Sequence, residues 1–152
     1  MVIELKSENI IRGIKVTSHR EVAEIADPDA RYRAEAGTEK HKEIYRCVVE
    51  AIGKLQHRCL RFLSESYKGY RNDGAAELPN EFIFEFDFAE RRAMGKTDSL
   101  AAVMHAFVVE YALSKFYSVV SQPDLSNKHS LLAMDAGKEL DLLLYSKNPP
   151  RI

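Results

Sequence analysis

"DSLAAVMHAFVVEYALSKFYSVVS", residues 98–121, decides how this chain must fold. Its apolar residues run almost all the way round a helix, so the segment reads as a helix buried on most sides. His105 and Glu110 interrupt it, leaving it short of the ~18 uninterrupted apolar residues of a membrane span. A helix of this kind needs other elements packed around it. Ser114, Ser118 and Ser121 form a narrow seam of small residues suited to a close neighbouring helix.

Two flanking segments supply partners. From Thr38 to about Tyr70, Ile44, Val48, Ala51, Leu55, Cys59 and Phe62 recur in steps of three and four, as in a half-buried helix. The opposite arc carries Glu50, Lys54, His57, Arg58, Arg61, Glu65 and Lys68, and reads as a solvated face. A last helix is predicted from about Ser126 to Ser146, with Asp124 or Ser126 as N-cap. Upstream, "EFIFEFDF" (81–88) alternates strictly, with Phe82, Phe84, Phe86 and Phe88 on one face, and predicts a strand near 82–88. "VIEL" and "IIRGIKV" are N-terminal strand candidates that could pair with it. "SHRE" (18–21) matches a capping box and predicts a short helix starting near His19, with another turn or two in "DARYRAEAG". The expected fold is mainly α, a bundle of three to four main helices with a minor β element, in one domain over 1–152.

The 22 Lys plus Arg against 23 Asp plus Glu create no strong field, so neither nucleic acid nor a membrane surface is favoured as partner. Cys47 and Cys59 fall in one predicted helix, roughly 18 Å apart along its axis, too far for a disulfide. No apolar leader opens the chain. A reduced, cytoplasmic setting is the expectation, or a virion assembled there.

The sequence departs from the patterns that several chemistries require. Gly95-Lys96-Thr97 between strand and helix matches the second half of a phosphate-binding loop. The first glycine of that loop would stand at Glu90, whose carboxylate would repel phosphate, so Gly95 reads as a chain break and Thr97 or Asp98 as a helix cap. None of the five histidines has metal-site spacing to a second ligand. His105, among Ala101, Val108 and Ala112, is expected to be the buried histidine, a neutral core residue. Catalytic, cofactor and metal residues are therefore expected to be none.

More informative is the apolar surplus. In the last helix Leu132, Ala133, Ala136, Leu140, Leu143 and Leu144 form the arc a core requires. Leu131, Met134, Leu142 and Tyr145 form a second ridge, bounded by Asp135, Glu139 and Lys128 on one side and Asp141 on the other. It either packs under the N-terminal segment or meets another protein. The phenylalanine strand offers a second candidate contact, through an open edge.

The half from "FDFAERR" to "LLYSKNPP", with "SKFY" (114–117) and "SNKHS" (126–130) between, resembles small helical proteins of Bacteroidetes prophage-like elements, encoded among virion structural and assembly genes. The resemblance spans about residues 82–150 and brings no catalytic residues. It implies a non-enzymatic structural or assembly subunit acting through contacts with itself or other virion proteins. The alternative is a small regulatory or adaptor module that binds a heterologous protein or peptide.

Overall fold

A computed structural model describes residues 1–37, 40–65, 67, 69–70, 77–88 and 97–145. Its centre is the segment quoted above, helix α4 (Thr97–Val119), which packs against helices on several sides and against the sheet. The neighbours are β1 (Val2–Lys6), α1 (Ser7–Val22), α2 (Pro28–Ala34), α3 (His41–Cys59), β2 (Glu81–Glu85) and α5 (Pro123–Tyr145). The fold is thus mainly helical, with one two-stranded antiparallel sheet that includes the N-terminal strand.

The alternating sequences of β1 and β2 put Ile3 and Leu5 opposite Phe84 and Phe82, and all four face the core. Glu4, Ile83 and Glu85 face outward. At its far end β2 is covered again by residues 62–64: Leu63 bridges Phe86, Ser64 donates to the Glu85 carbonyl at 2.8 Å, and Asp87 donates to that of Phe62 at 2.8 Å.

Two expectations from the N-terminal half are corrected. "IIRGIKV" is helical, inside α1, because Ile10, Ile14, Ser18 and Val22 recur every fourth residue and bury one stripe; that packing overrides the strand preference of β-branched residues. Gly13 lets this helix approach α4, since a Cβ there would stand 3.3 Å from Val109. Ser18 therefore caps nothing. It lies buried mid-helix, and its hydroxyl accepts from the Ala36 amide at 2.8 Å. The long helix also stops earlier than its periodicity predicts, at Cys59. A single 3-10 turn, Leu60–Phe62, then swings the chain out to reach β2.

Helix α5 begins a turn earlier than expected, with Pro123 at its first position, where the missing amide hydrogen costs nothing. Before it, α4 closes in a Schellman arrangement: Gln122 donates to the Tyr117 carbonyl at 2.8 Å and Ser121 to that of Ser118 at 3.3 Å. Ser121 sits at φ 61, the left-handed conformation that favours glycine. Of the predicted small-residue seam, Ser114 makes the helix contact, while Ser118 and Ser121 are exposed. Ser114 and Ser126 exchange hydrogen bonds, each hydroxyl donating to the other's carbonyl, at 3.1 and 2.8 Å.

Candidate interaction surface

The two apolar rows nominated by the sequence have different fates. Phe82, Phe84 and Phe86 point into the core and offer no surface to a partner. Phe88 is half-buried, stacked on Phe86 at 5.3 Å between ring centroids. β1 lies along one side of β2, and on the other side residues 62–64 pair only with its end, around Glu85 to Asp87. The expectation that these phenylalanines meet a partner is corrected for Phe82, Phe84 and Phe86: their alternation reports a buried face.

The ridge of α5 is outside. Leu142 is 75% exposed, and Leu131, Met134 and Tyr145 are each more than half exposed. The N-terminal segment does not cover them. At 100° per residue the four lie within about 80° of arc, in a strip roughly 21 Å long. Lys138 stands in its middle, where a long aliphatic stem can lie along apolar neighbours with its charge in water. Tyr145 rests edge-on against Phe62, centroids 4.8 Å apart, which fixes the strip's end.

The inward face holds the ridge in place. Ala133, Ala136, Gly137, Leu140 and Leu144 are buried against the bundle, whereas Leu132, expected inside, is 40% exposed. Arg58, expected in water, is drawn across from α3. Its guanidinium donates to both carboxylate oxygens of Asp141, at 3.0 and 2.9 Å, and lies 5.9 Å from the Phe107 ring centre. Gly137 makes room for it, because a Cβ there would stand 2.7 Å from the guanidinium carbon.

A polar cluster locks α5 to α1 and α4. His129 is 2% exposed. Its Nε2 donates to Glu21 at 2.7 Å, its Nδ1 to Glu110, and its ring stacks on Tyr117 with centroids 5.5 Å apart. Two carboxylate acceptors are satisfied together only by the doubly protonated ring. Burial pulls its pKa down, yet the hydrogen bonds and charges of Glu110 and Glu21 outweigh this and hold it above the ordinary value. Glu21 also accepts from Lys128 at 2.6 Å and from the Tyr117 hydroxyl at 3.0 Å. Burial pushes the Glu21 pKa up, but the bonds from Lys128 and His129 prevail and hold it below the usual carboxylate range.

The fully buried histidine is therefore His129, and the expectation for His105 is corrected in that His105 is only partly buried, beside Gly13; desolvation lowers its pKa and favours the neutral ring, as expected. Two signals in the sequence pointed to the cluster. His129 lies four and seven residues before Ala133 and Ala136, on the inward arc, and Glu110 is an acid in the middle of a largely apolar helix, where it must find a partner.

The cluster has little to offer catalysis, because both nitrogens of His129 are already occupied by carboxylates. Among the described residues no group of three or more His, Cys, Asp or Glu is placed to hold a metal. Likewise, no helix there is long and apolar enough to cross a membrane. Cys47 and Cys59 are free and buried, and burial pushes their thiols up to about 11 and about 12, far from the reactive thiolate. Glu90, Gly95 and Lys96 of the half-matched phosphate loop lie outside the described residues, as does Ser146; Thr97 opens α4. No protein-family model, curated protein or solved structure matches this chain.

Proposed function

We propose that this protein is a non-enzymatic structural or assembly subunit that associates with further copies of itself through the outer ridge of α5. The observation that carries the reading is the continuous exposure of Leu131, Met134, Leu142 and Tyr145 on a helix whose opposite face is already fully used. An outer helix needs one apolar stripe, and a second aligned stripe marks a contact surface.

Magnitudes say what kind of contact it is. Covering the exposed parts of these four side chains is worth about 4–7 kcal/mol. That is comparable with the cost of bringing two molecules together. A single ridge contact is therefore weak, and it becomes effective where many copies add their contacts. Such additivity suits an assembly subunit, the role the prophage resemblance implies.

Size-exclusion chromatography with light scattering over a concentration series tests this. The wild-type mass rises with concentration, while Leu142→Glu stays at the monomer mass throughout. A wild-type chain that remains monomeric at the highest concentration, indistinguishable from the variant, overturns the reading.

A further inference from the structure

The basic arc of α3 does not simply face water. Between α3, α4 and α5 runs a groove of about 440 Å³, with Lys54, His57 and Arg58 on one wall and Tyr111 and Lys115 on the other. Sequence periodicity places no aromatic on the α3 arc; the rings come from α4, which only the packing brings there. The volume lies in the range of small-molecule sites.

Its charges are not used up by the fold. Arg58 is committed to Asp141, and Lys115 stands 3.6 Å from Glu50 and 5.5 Å from the centre of the Tyr111 ring. Lys54 and His57 have no hydrogen-bond or ion-pair partner among the described residues. Lys54, Arg58 and Lys115 bring three positive charges against the two carboxylates of Glu50 and Asp141, leaving one uncompensated. The remaining lining is apolar, from Phe107, Ala133 and Met134, with the Ser130 hydroxyl beside them.

We propose that this groove binds a small organic monoanion, a carboxylate carried on an apolar or aromatic body. The carboxylate would take donors from Lys54, His57 and Ser130, while the body lies along Phe107, Ala133 and Met134. The bidentate Arg58–Asp141 pair fixes one wall beforehand, so little ordering is needed when a ligand enters. This site is independent of self-association along the ridge, with which it shares only Met134.

Titrating naphthoate into dilute, monomeric protein and following the His57 ring and Met134 methyl resonances by NMR tests the proposal. Naphthamide serves as the neutral isostere and acetate as the head group alone. Naphthoate shifts both signals saturably, with a Kd of about 1 mM or tighter, and naphthamide and acetate bind at least about tenfold more weakly. Lys54→Gln and His57→Gln, both surface changes whose folding is checked by circular dichroism, each weaken naphthoate about tenfold, the worth of one charge-assisted hydrogen bond, with the Met134 methyl as the signal followed in the His57 variant. Lys15→Gln, on α1, leaves binding unchanged. Absence of saturable binding up to about 10 mM overturns the site. So does equal binding of naphthoate and naphthamide, equal binding of acetate, or full binding by the two groove variants.

Discussion

The phenylalanine row that starts in β2 and continues past its end to Phe88 and the outer ridge of α5 look alike as sequences, each a set of four large apolar side chains on one face. One lies inside and one outside. The difference is set by what the opposite face carries. On β2 the other face holds Ile83 and two glutamates, so the phenylalanines are the strand's means of joining the core. On α5 the opposite face already supplies Ala133, Ala136, Leu140 and Leu144, so the ridge is left over. An apolar row marks a contact surface only when its element is anchored without it.

Substitutions that break this contrast range widely in size. Phe84→Ala empties a fully buried site and is expected to lower unfolding stability by about 3–5 kcal/mol, read by urea denaturation. His129→Ala tests whether α5 is anchored independently of its ridge. It strips two carboxylates of their shared partner and is expected to lower stability by about 2–3 kcal/mol.

The cost of His129→Ala depends on pH with a definite sign. The raised His129 pKa gives stability that is complete below the ordinary 6.5 and is lost as pH rises through the folded value. The lowered Glu21 pKa gives stability that is complete above the ordinary 4.5 and is lost as pH falls through its folded value. The advantage of wild type over His129→Ala should therefore peak between pH 4.5 and 6.5 and shrink on either side, as denaturation at several pH values would show.

Smaller changes sharpen the contrast. Ser121→Gly relieves the left-handed φ before α5 and is expected to raise thermal stability by about 0.5–1 kcal/mol without touching either row. Leu142→Glu, on the ridge, should change monomer stability by no more than about 0.5 kcal/mol, against the several expected for Phe84. A large destabilisation by Leu142→Glu would mean that the ridge belongs to the core.

Much of this layout was legible in the chain. The nearly all-round apolar character of residues 98–121 led directly to a buried helix, and alternation around Phe84 to a half-buried strand for which an N-terminal strand was a candidate partner. Residues 10–16 misled because Ile and Val favour strands; only the fourfold spacing of Ile10, Ile14, Ser18 and Val22, viewed over a longer window, reveals the helix. The α5 ridge could be read from spacing, but its exposure could not, since periodicity does not say which stripe faces the core. The groove was illegible for a different reason: Lys54 and Tyr111 are distant in sequence, and only the packing of α3 on α4 brings them together.

Two methionines of the same chain test the central claim most directly. Met104 is fully buried on α4 and Met134 lies on the ridge, so peroxide oxidation followed by mass spectrometry reads both environments at once. In dilute protein Met134 should oxidise at least about tenfold faster than Met104, as its exposure requires. In concentrated protein Met134 should become protected while Met104 stays slow. Oxidation of Met134 at the same rate from dilute to concentrated protein, or as slowly as Met104 in the dilute sample, would contradict the ridge as an association surface.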